Sequence, residues 1–289
     1  MRVGDATFYL RFLSGLQANR ERSERALASL ADGKKVRVAS DDPVGAQESL
    51  MLRKRLVQVA GFDRAAGSSR TALGAIDGAL SRVFDVVTEA RTLAMAGGSN
   101  LDDANGIRAQ QIDQLREELL SLANTSTGGR YLFGGTQTLA PPFAADGSYS
   151  GNADEVAAPI DVQETVGATL SGSAVFVDGG DVFTMLSDLS DALRNGQPAD
   201  VAALVPALSD ALDHLGQVHG GVGARMQRID AVLERHGDEE LDLIRRISNI
   251  EDADLAEIAV ELQANDTATS ALSAASARVL GRSLFDYLG

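Results

Sequence analysis

Apolar residues recur at alternating steps of three and four along most of this chain, and the runs they make are long. The strongest passes from Leu52 through Val59, Phe62, Ala66, Leu73, Ile76, Leu80, Val83, Val87 and Ala90 to Ala94, broken only by Arg55 and Ser69. Such spacing over this length predicts a coiled-coil-like helix several times longer than a usual globular one. Its start is marked by Ser40-Asp41-Asp42-Pro43. Pro43 suits the first helical position, where a missing N–H costs nothing. Asp42 suits the N-cap, with its carboxylate placed to accept from the Gly45 N–H. Gly61, Gly67, Gly74 and Gly78 lie inside the run. Each costs about 1 kcal/mol against Ala, so the helix needs packing partners. Gly97-Gly98-Ser99-Asn100 predicts its end.

A shorter stripe, Ile112, Leu115, Leu119 and Leu122, predicts a second helix that pairs with the first as an antiparallel hairpin and ends near Thr127-Gly128-Gly129. Residues 130–180 read differently. Short β-prone pieces, Ile160-Asp161-Val162 and Ala174-Val175-Phe176-Val177, stand among Gly, Ser, Thr and Asp, which predicts a small β-rich insert. Asp181 then caps a helix with Val182, Leu186, Leu189 and Leu193 inward, closed by Asn195-Gly196 and Pro198. A stripe from Val201 through Leu204, Leu208 and Leu212 to Leu215 predicts the next helix, which Gly220-Gly221 is expected to break.

Both chain ends carry isolated stripes. At the N-terminus Tyr9, Leu13, Leu16, Arg20, Ser23, Leu27 and Leu30 follow the spacing, and a linker, residues 32–39, separates them from Pro43. Toward the C-terminus one register runs from Met226 through His236 and Glu240 to Ile250. A second runs through Leu255, Ile258, Leu262, Asn265, Thr269, Leu272, Ser276 and Val279. They are offset by one residue across Glu251-Asp252-Ala253-Asp254, which moves the seam to another face of one helix, or of two coaxial ones. Seams containing Arg20, Ser23, Asn265, Thr269 and Ser276 bury little, so these ends are expected to fray alone and to order by packing between copies.

The expected architecture is mainly α: an elongated long-helix bundle with paired N- and C-terminal coiled-coil helices and a small β-rich insert. Its parts are an N-terminal assembly helix and linker (1–39), a long-helix hairpin (40–129), the insert (130–180), the C-terminal bundle helices (181–250) and a C-terminal assembly helix (251–289).

Composition supports this. Aromatic residues make up 4% of the chain and Trp is absent, so the core must be aliphatic, which suits helix-on-helix packing. The net charge of -15 argues against nucleic-acid and anionic-membrane partners. The charge is uneven. Residues 1–60 hold 11 basic and 7 acidic side chains, whereas 236–289 hold 4 and 11. Two ends that meet fit this, and so do two separately solvated helices. The absence of Cys removes disulfides and thiolate chemistry. No apolar stretch is long enough to span a membrane, and Met1-Arg2-Val3-Gly4-Asp5 does not start like a secretory signal.

Catalytic constellations do not emerge. His214 and His219 are five apart and so lie on different helix faces, and His236 falls on a seam. No phosphate loop or nucleophile elbow is present, and Gly220-Gly221-Val222-Gly223 follows a helix rather than a strand. Paired carboxylates such as Asp41-Asp42 read as helix caps, and Arg53-Lys54-Arg55 as a solvated helix face. No enzyme activity, metal or cofactor is expected.

Two stretches resemble the bacterial flagellin family. Residues 30–43, Leu-Ala-Asp-Gly-Lys-Lys-Val-Arg-Val-Ala-Ser-Asp-Asp-Pro, are similar to its N-terminal signature. Residues 250–257, Ile-Glu-Asp-Ala-Asp-Leu-Ala-Glu, are similar to its C-terminal one. Pro43 after Ser-Asp-Asp, the run Gly129-Arg130-Tyr131-Leu132-Phe133-Gly134-Gly135 and the ending Ser283-Leu284-Phe285-Asp286-Tyr287-Leu288 favour the hook-associated protein 3 subgroup over filament flagellin. The resemblance implies an extracellular structural subunit of the flagellum, an adapter ring between hook and filament, exported by the flagellar type III apparatus. The implied partners are copies of itself, the hook-side junction protein (hook-associated protein 1), flagellin and a cytoplasmic export chaperone. The assembly interface is expected on Tyr9, Leu13, Leu16, Leu27, Leu30, Leu255, Ile258, Leu262, Leu272 and Val279, with Asp42 and Pro43 as cap and linker. Filament flagellin is the alternative, and a secreted helical binding module a further one.

Overall fold

The structure is a computed structural model that describes the backbone of residues 3–97 and 104–288, and their side chains except at 3–6, 8, 9 and 277–288. Among the described residues, seven helices carry the fold: α1 Val3–Asp32, α2 Pro43–Gly97, α3 Ala104–Ala123, α4 Gly172–Phe176, α5 Val182–Arg194, α6 Pro198–Glu251 and α7 Leu255–Leu288. Two antiparallel hairpins interrupt them, β1 Ser126–Thr127 with β2 Arg130–Tyr131, and β3 Ala157–Asp161 with β4 Glu164–Gly167. The chain forms two compact units: Met1–Val57 with Glu240–Gly289, and Gln58–Glu239. α2 and α6 contribute residues to both, so the division falls inside helices rather than in the loops.

In the central unit, the three-four stripe of α2 is the core. From Ala66 to Ala94 every member of it is buried, including the hydroxyl-bearing Ser69, whose Oγ donates to the Ala65 carbonyl at 2.9 Å. Ile112 and Leu119 of α3, Leu186 and Leu189 of α5, and Leu208 of α6 complete the same core. α3 packs along α5, where the Ser190 Oγ donates to Asp113 Oδ1 at 2.7 Å. Asp181 caps α5 by accepting from the N–H groups of Phe183 at 3.0 Å and Thr184 at 3.2 Å. An Asp181→Ala variant should lose about 1 kcal/mol of stability, read as a lower denaturant midpoint with an unchanged slope.

Three sequence expectations are corrected in this unit. α3 ends at Ala123, and Thr127-Gly128-Gly129 turns a hairpin instead. Gly128 and Gly129 take φ of 59° and 77°, and positive φ at both central residues is what a two-residue hairpin loop needs. Gly220-Gly221 does not break α6. An added Cβ would meet nothing at either glycine, so both lie on the helix's open side. The burial of Leu215, Val222, Ile229 and Val232 outweighs the propensity cost of two glycines. Residues 174–176 lie in α4, with Val177 as its C-cap, and not in a strand. Gly172, Val175 and Phe176 are all buried. One helical turn puts positions i, i+3 and i+4 on a single face, whereas a strand would send Val175 and Phe176 to opposite sides.

Phe176 joins a cluster of rings between the insert and α5, with centroids 5.3 Å from Phe133, 5.2 Å from Phe143 and 5.9 Å from Phe183. The insert is fastened to α6 by arginines. Arg225 grips Glu155 through two bonds of 2.8 and 3.0 Å, and Arg235 reaches Asp161 at 3.0 Å. His236 is fully buried, with Nδ1 2.7 Å from Asp63 Oδ1 and its ring stacked on Phe62. It serves the core as a hydrogen-bonded packing residue.

Candidate assembly site

The terminal unit brings together the two ends of the chain. α1 ends at Asp32, and Gly33 takes φ of 70° while its N–H donates to the Ser29 carbonyl at 2.9 Å. A left-handed residue just past the last turn turns the chain sharply and satisfies an orphan carbonyl. The linker then runs beside the end of α6. The N–H groups of Lys35 and Val36 donate to the Glu251 carbonyl at 2.7 and 3.4 Å, and the Ala253 N–H donates to the Gly33 carbonyl at 2.8 Å. The two signature stretches, residues 30–43 and 250–257, are thus one site in space.

Asp41 and Asp42 hold the linker's far end. Asp41 Oδ2 accepts from the Arg37 and Val38 N–H groups at 3.0 and 3.1 Å, and these bonds keep its carboxyl below the ordinary range. Asp42 Oδ1 accepts from Val44 and Gly45 N–H at 3.1 and 3.0 Å, which caps α2 at Pro43. A Cβ on Gly45 would collide with Asp42 Oδ2 and stand 3.2 Å from Ile250 Cγ2, so only glycine lets the cap close against the end of α6.

At the centre lies Glu251, whose side chain is 10% exposed. Arg53 holds it with two bonds, Nε to Oε1 at 2.9 Å and Nη2 to Oε2 at 2.6 Å. Lys34 Nζ adds a bond of 2.7 Å to Oε2, and the Ser49 hydroxyl donates to Oε1. A carboxylate with this many donors strongly favours its charged form. Chiefly through Arg53, its pKa is lowered from 4.5 to about 2. Arg53 is therefore not merely part of a solvated face, as its basic run implies, because it is tied to a nearly buried acid. Glu251 itself is absent from the sequence-derived site. Its signals in the sequence are its place in the signature stretch 250–257 and the opposite charge of the two chain ends.

Beyond Glu251 the helix breaks. Asp254 Oδ1 accepts from the Ala256 and Glu257 N–H groups at 2.8 and 3.3 Å and starts α7 as a separate helix. The one-residue offset in the sequence is this break. α7 packs against α1 in an antiparallel pair, with Lys34 opposite Asp252 at one end and Asn19 bonded to Asn265 farther out.

The seam of that pair differs in register from the sequence stripe. Asn19, Ala26, Ile258 and Asn265 are buried, and Leu13, Leu16, Ser23, Leu262 and Leu272 are half-buried. Arg20 and Leu27 point out of it instead, because Asn19 and Ala26 take the inner positions. Leu27 is 55% exposed, Leu30 41% and Leu255 51%. The side chains of Tyr9 and Val279 lie outside the described ones. The predicted interface residues thus fall into two sets, one filling the α1–α7 seam and one left open on its outside.

Comparison with known proteins follows the same outline. A family model described as the bacterial flagellin N-terminal helical region matches residues 5–138. Flagellar hook-associated protein 3 of Salmonella typhimurium is 25% identical over 88% of this chain and 89% of its own length. Flagellar hook-associated protein 3 of Escherichia coli is 24% identical over 99% of both. Among solved structures, the flagellar junction protein FlgL from Legionella pneumophila superposes with a TM-score of 0.60 at 14% identity, covering 71% of this chain and 100% of that one. At that identity the likeness is one of fold.

Proposed function

We infer that this chain, a flagellin-family protein of the hook-associated protein 3 kind, is a structural subunit that joins the flagellar hook to the filament and is not the filament flagellin. The carrying observation is the reach of the likeness: hook-associated protein 3 of Escherichia coli matches 99% of this chain, both terminal helices included. The work of such a subunit is mechanical. Its terminal helices pack against those of neighbouring copies, with hook-associated protein 1 on one side and flagellin on the other. A cytoplasmic chaperone accompanies it to the flagellar type III apparatus.

The outside of the α1–α7 pair supports this reading. Leu10, Leu27 and Leu30 on α1, and Leu255 and Val260 on α7, are exposed. Full burial of one such side chain is worth roughly 1.5–3 kcal/mol, which a second copy can supply. Deleting the gene tests the role. Hooks should still be made, while flagellin is shed into the medium. Normal filaments on the deletion strain, or long filaments grown from the purified chain alone, would sink the junction role. Removing about 30 residues from either end should abolish incorporation while the central unit keeps its fold.

A further inference from the structure

The α1–α7 seam contains a polar node that packing alone does not call for. Asn19 and Asn265 are 6% and 7% exposed, among the most buried residues of the pair. Asn19 Nδ2 donates to the Asn265 carbonyl at 2.8 Å and to Thr269 Oγ1 at 2.6 Å. The Thr269 hydroxyl in turn donates to the same Asn265 carbonyl at 2.9 Å. The node is not fully satisfied: Asn265 Nδ2 is buried and finds no partner among the described residues. A leucine at either position would carry no such cost.

We propose that Asn19, Asn265 and Thr269 fix the register in which the two ends of this chain pair. The linker bonds to Glu251 and Ala253 hold the base of the pair, and the apolar seam beyond them is poorly suited to that task. Leu13, Leu16 and Ala26 on α1 and Ile258, Leu262 and Leu272 on α7 line it. Slipping one helix past the other by seven residues again sets Leu16 against a leucine, Leu262. The same slip takes Asn19 away from the Asn265 carbonyl and Thr269, and leaves both amides buried against hydrocarbon. A single polar position specifying register at some cost in stability is an established use of Asn in helix pairs. In this chain it also decides which residues remain outside, since Leu27, Leu30 and Leu255 form one open face only in one register. The inference does not depend on which flagellar ring the chain enters.

The chain has no Cys, so introduced pairs report the register directly. S23C with L262C brackets the node across the seam, and S23C with L255C is its counterpart after a seven-residue slip. With Asn19 and Asn265 in place, mild oxidation of the full-length protein should close the first pair and leave the second at trace level. In an N19L/N265L/E251Q background, with the base of the pair loosened as well, the second should rise to within about threefold of the first, whereas E251Q alone should leave it at trace level. N19A/N265A/E251Q removes the amides without adding bulk and should show the same slipped cross-link. The proposal is overturned if only the first pair closes in both backgrounds, or if both pairs, or neither, close in the parent.

Discussion

Replacing Glu251 with Gln is expected to cost the terminal unit about 2 kcal/mol. The lowering of the carboxyl from 4.5 to about 2 corresponds to roughly 3 kcal/mol of preference for the charged form. Arg53 and Lys34 have side chains 50% and 40% exposed, so water recovers part of that when the charge is lost. Gln keeps the shape and can still accept from Ser49 and Arg53, so the loss isolates the charge. The reporters are the Lys35, Val36 and Ala253 amides, whose bonds tie the linker to the end of α6. Their hydrogen exchange should quicken roughly thirtyfold. Unchanged protection there would mean that the backbone bonds hold the linker without the carboxylate.

The same group fixes a pH dependence of definite sign. Its folded pKa lies below its unfolded one, so the unfolded chain binds the proton more tightly. The stabilisation is complete above about pH 4.5 and is withdrawn as pH falls from there through about 2. The Glu251→Gln variant should depend on pH less steeply than the parent protein over that window, keeping only what Asp41 contributes. A parent protein equally protected at pH 2.5 and pH 6 would contradict the arrangement around Glu251.

What sequence could and could not supply follows from how each element is stabilised. The α2 stripe was legible because a long repeat averages out single exceptions such as Arg55 and Ser69. The caps were legible because Asp181, Asp42 and Pro43 act on neighbours within three residues. The register of α1 was not. Its leucines suggest an inner face, but a two-helix seam covers only one side, and Asn19 and Ala26 occupy it. Glu251 was hidden for a different reason. It sits in an acidic run and Arg53 in a basic one 198 residues away, and each run alone looks like a solvated surface. Only the fold brings them within 2.6 Å. Gly220-Gly221 and residues 174–177 failed where local propensity opposed burial and burial won.

Residue Phe176 offers the sharpest test of that last conflict. It is fully buried, and its ring meets those of Phe133, Phe143 and Phe183. Truncation to Ala removes those contacts and leaves a cavity walled by rings that cannot all collapse inward, which places the loss at about 3–5 kcal/mol. The damage should be read first in the insert, at the Gly135, Leu170 and Gly172 amides, whose acceptors are the carbonyls of Leu170, Leu132 and Phe133. Val175→Ala discriminates between the two conformations. If residues 172–176 are helical, Val175 and Phe176 share one buried face and both truncations are costly, with about 1–2 kcal/mol at Val175 for its two lost methyl groups. A strand would leave one of the two facing outward, and its truncation would change stability by no more than about 0.5 kcal/mol. Val177, 37% exposed, supplies the benchmark for such an outward position, and Val177→Ala should stay within that smaller range. A denaturation midpoint for Val175→Ala as mild as that of Val177→Ala would return this segment to the extended conformation its composition favours.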